Sequence, residues 1–497
     1  MKRKFNQYSV WFGVGIALGV LLWTALFFCQ LGMPTTLTKW SAESYVQKTA
    51  AAGRFAGKRI LIYGGSSARF GISAEQMSRE LGVPTVNLAT HAALGLDYFL
   101  YRAREDARAG DVVLLPLEYP YYQTIDKFNA SFVDYIISRD TAYFWQLPFI
   151  DKLTVIFSTS FSRLVIPFKE AIAPRPEPEY AMGIYNSVQL NAYGDSLENN
   201  RVFKTNEMRQ VIDGFKPVEI YLAENSNSNE LLKEFAKWCK EHGVSLIGAY
   251  PNTVYFEDYR LPGPREHLSK IRDFYLQIGA KFVGKPYDAM LDKSYFFDYG
   301  YHPDDLGAKI RTAKLVEDLR GVINPVTAAD LRVTSAPTGK TNAVSQVISE
   351  FHGWEPLSGM FQFNGPYPEQ GLPIIIYGRS DIVLKAISSE AEIHRLAITF
   401  RPQYDGQTVV ISIDGKTVLS RTCASRNDFQ KIELDLSLAQ GPHEIRLQSD
   451  QGSAKVRDPN DISLLFKQLR LSTAPVTKQN QALEPAAGGP LDAFGQR

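Results

Sequence analysis

Cysteine is nearly missing from this chain. The three present among 497 residues, Cys29, Cys239 and Cys423, are too few and too widely separated for a disulfide framework or a thiolate metal cluster. Histidine is also sparse: His242, His267, His352, His394 and His443 show no ligand spacing, and no acidic cluster suggests a two-metal centre, so no metal is expected. Excess charge of either sign is absent as well. With 54 basic and 53 acidic side chains the net charge is +1, which gives no electrostatic footprint for nucleic acid. A nucleotide loop is missing too, because Gly64 and Gly65 are followed by no P-loop lysine and a GxGxxG reading of Gly64 to Gly71 fails on spacing. No cofactor is expected.

What the chain has is one long apolar run. Lys2, Arg3 and Lys4 precede an uncharged stretch from Val10 to Cys29, long enough to cross a bilayer and flanked by the basic residues of a cytoplasmic side. The expected arrangement is a cytoplasmic tail over 1–9, a transmembrane anchor over 10–31, a juxtamembrane linker over 32–56, and an ectodomain in the periplasm or outside the cell. A cleaved signal peptide is the rival. It lacks a small-x-small site, and Leu26-Phe27-Phe28-Cys29 puts bulky residues where a lipoprotein site needs small ones. Trp11 and Trp23 fit an interfacial position or plain apolar filling. At 45% hydrophobic and 22% charged, the chain can bury at least two cores.

The texture then changes twice. From 57 to 323 short apolar runs alternate with helical stretches: Ile60 to Tyr63, a helix from Ser73, Thr85 to Leu88, a helix over Leu96 to Ala107, Val112 to Leu117, then a helix over Asn229 to Glu241 stopped by Gly243 before Val244 to Tyr250. This is the βαβ rhythm of a doubly wound parallel sheet. Residues 125–215 break it with an aromatic insertion that contains Ala173-Pro-Arg-Pro-Glu-Pro178 and reads as a cap over the sheet edge. A Thr-, Ala-, Ser- and Pro-rich linker is expected over 324–345. From 346 to 472 the strands alternate apolar and polar residues (Leu396 to Phe400, Val409 to Ile413, Ile432 to Leu436, Glu444 to Leu447), with Asp414-Gly415 as a tight-hairpin signal; an antiparallel β-sandwich is expected. The polar tail over 473–497 reads as disordered.

Two segments carry chemistry. Ile60-Leu61-Ile62-Tyr63 runs into Gly64-Gly65-Ser66-Ser67, which places a serine at the carboxyl edge of a parallel sheet; far downstream stands Asp298-Tyr-Gly-Tyr-His302. Serine is a poor nucleophile at its free pKa, so it needs an imidazole to take its proton and a carboxylate to orient that imidazole. Read alone, Gly64 to Ser67 is a strand-to-helix turn with a capping serine, and His302 is a loop histidine beside the helix-capping Asp304 and Asp305. Joined, the two segments put the catalytic reading first. Arg69 and Glu118 sit at strand ends, where substrate contact competes with the default of a solvated rim. Asn87 and His91, after the second strand, are further substrate candidates, with packing as the alternative for His91.

Gly65-Ser66-Ser67, the Asn87-Leu-Ala-Thr-His-Ala-Ala segment and Asp298-x-x-x-His302 leading into Leu306-Gly-Ala resemble the blocks of the GDSL/SGNH hydrolase superfamily, and within it the membrane-anchored extracytoplasmic branch that includes alginate-type polysaccharide O-acetyltransferases and the protein that helps D-alanylate teichoic acids. The resemblance covers roughly the first two thirds of the chain. It implies an SGNH-like three-layer fold with Ser67 as nucleophile, His302 as base and Asp298 as its orienting carboxylate. It also implies an oxyanion hole from the amides of Ser67 and of Ala92 or Ala93, with Asn252 as the third-block candidate. The chain departs from the pattern in having Ser66 where Asp is usual, alanine where the second block has glycine, no glycine beside Asn252, and one residue more than the commonest spacing between Asp298 and His302.

The C-terminal outline, from Phe351-His-Gly-Trp354 through Phe361, Phe363 and Tyr367 to Arg457-Asp-Pro-Asn-Asp-Ile462, is similar to jelly-roll modules that accompany polysaccharide-modifying enzymes. Trp354 is a sugar-stacking candidate, with a core position as the alternative. Together these features suggest O-acetylation of an exported polysaccharide through an acyl-Ser67 intermediate. The acyl groups would come from a multispan membrane acyltransferase partner, since cytosolic acyl donors do not reach this compartment. A carbohydrate esterase using the same residues, and a noncatalytic glycan-binding or assembly protein on the same scaffold, are the alternatives.

Overall fold

Ile60–Ile62 (β1) shows why a parallel sheet forms. Ile60 and Ile62 enter one apolar cluster while Leu61 and Tyr63 enter another, so the period of two feeds a core on each face. The computed structural model describes residues 2–123, 127–173, 190–324, 343–364, 375–451 and 462–473. Its contacts divide the chain into two units, Met1–Ile348 and Ser349–Arg497.

In the first unit the helices are α1 (Lys2–Gln30), α2 (Lys39–Gly53), α3 (Ser66–Gly71), α4 (Ala74–Leu81), α5 (Gly95–Asp106), α6 (Ala130–Ser138), α7 (Thr141–Gln146), α8 (Phe149–Ser158), α9 (Phe161–Ile172), α10 (Asn206–Asp213), α11 (Asn227–Glu241), α12 (Pro262–Gln277), α13 (Asp305–Arg320) and α14 (Ala343–Glu350), which runs into the second unit. The strands after β1 are β2 (Thr85–Asn87), β3 (Val112–Leu115), β4 (Ser245–Ala249), β5 (Thr253–Val254), β6 (Lys281–Val283) and β7 (Met290–Leu291). The main sheet runs β2-β1-β3-β4-β6, parallel throughout. The connection from β2 to β3 passes over β1, so the strand order reverses between β1 and β3, and the crevice at their carboxyl ends is where an open α/β sheet holds its site. Residues of α5, α11 and α12 (Phe99, Phe235 and Tyr275 among them) pack one face of the sheet; Met77 of α4 and Leu315 of α13 pack the other.

Helix ends follow local chemistry. Ser73 accepts from the Gln76 amide to start α4, and Asp304 accepts from the Leu306 and Gly307 amides to start α13. Gly243, at φ +67, gives α11 its stop before β4. The expected linker over 32–56 is corrected by α2, whose Tyr45, Lys48, Ala51 and Ala52 are buried. An alanine-rich helix with a lysine on its inner face carries little apolar periodicity, which is why it read as a tether. Within the expected insertion, α6 to α10 occupy the described part; most of the proline stretch, residues 174–178, lies outside the described residues.

The second unit is built on nearly antiparallel strands: β8 (Phe351–His352), β9 (Glu355–Asn364), β10 (Ile375–Ser388), β11 (Glu392–Pro402), β12 (Thr408–Ile413), β13 (Lys416–Thr422), β14 (Gln430–Leu438), β15 (Gly441–Ser449) and β16 (Leu464–Thr473). Eight pair antiparallel, and the short β8 joins β16 in parallel. Asp414 (φ 51) and Gly415 (φ 79) form the turn between β12 and β13, both in the left-handed region that a two-residue hairpin demands. The side chains of Phe361 and Phe363, residue Tyr367, the stretch 457–461, and most of the expected linker and tail lie outside the described residues.

Candidate functional site

The sheet's reversal point gathers the predicted residues. Ser67 follows β1 in the first turn of α3 and is fully buried, and Glu118 follows β3 and is buried beside it. Glu118 Oε1 accepts from the Ser67 amide at 2.9 Å and Oε2 from the Gly65 amide at 3.2 Å. A Cβ built on Gly65 would run into the Glu118 carboxylate and Ala92, so glycine is what lets the three segments close on one another. Burial pushes the Glu118 carboxyl up, against the pull of the two amides and the charge of His302. The solvated-rim default for Glu118 is thereby corrected: it is an internal carboxyl group that accepts from the amides that open α3. The Ser67 amide, expected to serve an oxyanion, is already paired with it.

Asp298 and His302 do meet. His302 Nδ1 lies 2.8 Å from Asp298 Oδ1, so the longer spacing still reaches, and the ring packs on Phe70 at 4.9 Å between centroids. No hydrogen bond reaches His302 Nε2 among the described residues. Ser67 Oγ donates instead to the Asn252 carbonyl at 3.2 Å. The Asn252 side-chain amide donates to the Tyr301 carbonyl at 3.0 Å, while its Oδ1 is buried without a partner. Asn252 therefore ties the serine loop to the residue before His302, and its NH2 group is spent there rather than aimed at an oxyanion. A Cβ on Gly71 would collide with this side chain.

A second asparagine, unseen in the sequence, makes a parallel tie: Asn199 Nδ2 donates to Phe70 O at 2.9 Å and Pro303 O at 2.6 Å. Two cross-links thus hold α3 against the His302 loop, the kind of support that fixes a reacting geometry.

Other candidates are held by internal contacts. Asn87 is fully buried and clamps α3, donating to Ala68 O at 3.0 Å and Ile72 O at 2.9 Å and accepting from the Ala89 amide; it is not placed for substrate. Arg69, expected at a rim, is buried, with Nε donating to Ser196 Oγ at 2.8 Å and Nη2 3.4 Å from Glu198. Burial pushes Glu198 up to about 7, against the pull of Arg69, and burial with Arg69 nearby brings Lys48 down to about 7. Lys48 Nζ donates to Asn87 O at 2.8 Å and Gly194 O at 2.6 Å. This network of Lys48, Arg69 and the 195–198 segment lay hidden because it joins residues over a hundred positions apart.

His91 is half-buried and meets Trp40 edge-on at 5.3 Å; burial, then Arg69 and His302, bring it down to about 4, so it is neutral near pH 7. Ala92 O accepts from the Tyr121 hydroxyl at 2.5 Å and Ala93 O from Asn129 at 2.8 Å. In the second unit Trp354 is fully buried and donates to Leu469 O at 2.7 Å. It is a core residue, which corrects its reading as a sugar platform. Among the described residues no group of His, Cys, Asp and Glu side chains is placed to hold a metal.

The arrangement offers a serine hydroxyl, an oriented imidazole with its outer nitrogen open, and a buried carboxylate at the helix start. No family model and no curated protein matches the chain. Among solved structures it is similar to a family 35 carbohydrate binding module from an environmental isolate (14% identity, 24% of this chain and 91% of that one, TM-score 0.18). It is also similar to a native family 35 module from Clostridium thermocellum (12% identity, 25% and 90%, TM-score 0.17). The C-terminal CBM6 of LamC from Zobellia galactanivorans matches at 8% identity over 24% and 93%, with TM-score 0.17.

Proposed function

We propose that this chain is a membrane-anchored extracytoplasmic acyltransferase of SGNH-like type, acting on an exported polysaccharide through Ser67. The observation that carries this reading is the 2.8 Å contact of His302 Nδ1 with Asp298, held beside the serine loop by Asn252. With Asp298 accepting from Nδ1–H, Nε2 is left as the base. For the reaction the Ser67 hydroxyl must exchange its bond to Asn252 O for one to Nε2. Ser67 Oγ then bonds the acyl carbon of the donor as its proton passes to His302, and the leaving alcohol departs with that proton. A sugar hydroxyl next gives its proton to His302 and takes the acyl group, and His302 returns that proton to the departing Ser67 Oγ, restoring the site. Water in place of the sugar makes the same site an esterase.

The anchor reading is supported by how α1 ends. Tyr8–Gln30 is apolar enough to cross a bilayer, and its last turns are part of the fold: Phe27 and Gln30 are fully buried, and Gln30 Oε1 accepts from Arg163 at 2.9 Å. Cleavage behind this helix would empty that packing and strip Arg163 of a partner. A site outside the cytoplasm needs its acyl groups delivered across the membrane, hence a multispan acyltransferase as partner.

A second reading, a noncatalytic glycan-binding or assembly protein, is favoured by the Ser67 hydroxyl and amide both being engaged, by Asn252 and Glu118. The test compares the full-length protein with Ser67→Ala and His302→Ala for turnover of an activated acetyl ester, with and without an oligosaccharide acceptor, reading products by mass spectrometry. A loss of about 10³-fold or more in both variants is expected. Acetylated sugar selects the transferase and free acetate the esterase. Equal turnover in all three folded proteins moves the binding reading to the front.

A further inference from the structure

The ectodomain carries an apolar face that a protein in water would not keep. Trp145, Phe149, Ile150, Phe157 and Phe161 are each at least half exposed, at 55%, 72%, 68%, 50% and 64%, and all lie on α7, α8 and α9. A group of large apolar side chains in so short a stretch marks a surface meant to be covered.

Where these helices sit decides what covers them. They pack on the end of α1: the Trp23 indole donates to Ile156 O at 2.9 Å, Trp23 meets Phe161 at 6.4 Å, Phe27 meets Phe144 at 5.6 Å, and Phe28 stacks on Trp145 at 5.9 Å. Trp23 lies about 10 Å down the helix from Gln30, so Ile156 and Phe161 lie at that depth too. The part of α1 that no other described segment covers, Tyr8 to Leu22, is about 22 Å long, short of the roughly 30 Å hydrocarbon layer. The span is completed only if the stretch from Trp23 to Gln30 is also in the apolar layer, and that stretch brings its packed neighbours with it.

The polar groups of these helices agree. Asp151 pairs with Lys127 at 2.7 Å, Arg163 turns inward to Asp134 and Gln30, and Glu170 accepts from the Thr36 amide at 2.8 Å. Thr154 returns its hydroxyl to Ile150 O at 3.0 Å. Lys152, over the Trp145 ring at 5.9 Å, and the exposed Lys169 have stems long enough to carry their charges up to headgroup phosphates.

We infer that α7, α8 and α9 form a monotopic platform sunk into the outer leaflet around the anchor, with lipid acyl chains covering Trp145, Phe149, Ile150, Phe157 and Phe161. Interfacial helices settle about 5–10 Å into the headgroup and acyl boundary, the depth that the Trp23 contact sets. Asn129, which accepts from the Phe132 amide to cap α6, the helix before α7, donates to Ala93 O in the second loop of the site.

This inference rests on the anchor reading, and one experiment separates them. The full-length protein is placed in nanodiscs of phosphatidylethanolamine and phosphatidylglycerol containing a phosphatidylcholine with a diazirine on one acyl chain, illuminated, and mapped by peptide mass spectrometry. Lipid adducts are expected on α1 and also on residues 145–161, with loss of the latter in Phe149→Asp/Phe157→Asp while those on α1 remain. Adducts confined to α1 leave the anchor standing and overturn the platform. Absence of adducts on α1 overturns both. Cross-links from residues 145–161 to a second copy of the chain, in place of lipid, overturn the platform in favour of a protein-covered face.

Discussion

Each unit of the chain contains an aspartate–histidine pair, and the two differ in one atom. His302 Nδ1 stands 2.8 Å from Asp298 and His443 Nδ1 2.7 Å from Asp414. His443 then spends Nε2 on the Ala439 carbonyl at 2.8 Å, on a hairpin edge with no serine partner. There the ring acts as a brace. Burial disfavours its charge, but the Ala439 carbonyl and Asp414 outweigh that and raise its pKa. His302 keeps Nε2 open and is tied by two asparagines to a loop carrying a buried serine. A carboxylate beside an imidazole is thus no mark of catalysis by itself; the outer nitrogen and what stands near it are what differ.

The comparison breaks most visibly at the two carboxylates. Asp298→Asn is expected to lower acyl turnover by about 10²–10⁴-fold, through the wrong tautomer and loss of stabilisation of the imidazolium, while Asp414→Asn leaves it unchanged. Steady-state kinetics on both variants would check this, and an equal effect would erase the distinction between the pairs.

Next in size is Trp354. As a core residue its replacement by alanine should cost about 3–5 kcal/mol, read by denaturant unfolding. A Trp354→Ala protein of unchanged stability that has lost glycan binding would restore the platform reading.

The smallest effect concerns Glu198, held at about 7 by burial. Its folded form binds a proton that the unfolded chain releases near 4.5. Its contribution to stability is therefore full below about 4.5 and declines as pH rises to about 7. Glu198→Gln should flatten the fall in melting temperature over that window, and an unaltered profile would place the titration elsewhere.

Local sequence carried much of the architecture. Short apolar runs gave β1 to β4 within two residues of their ends, because each buries side chains on both faces of the sheet. Asp414-Gly415 specified its turn because two adjacent left-handed residues suit few other sequences. The Asp298–His302 contact was legible because it lies within five residues of chain. Helix α2 was not, since its inner face presents Lys48 and Tyr45 in place of a clean apolar stripe.

Sequence by itself thus determined the apolar helix, the strand and helix rhythm, the antiparallel C-terminal unit and the serine, histidine and aspartate types on hand. Tertiary structure alone decided that Glu118 lies on the Ser67 amide, that Asn199 and Asn252 tie loops from opposite ends of the unit, and that Trp354 is buried. The reason is the range of the forces involved. Backbone propensity and apolar periodicity act over a few residues, whereas the partner of a buried polar group is whichever group the packed chain brings within hydrogen-bond reach, 51 positions away for Glu118 and 185 for Asn252.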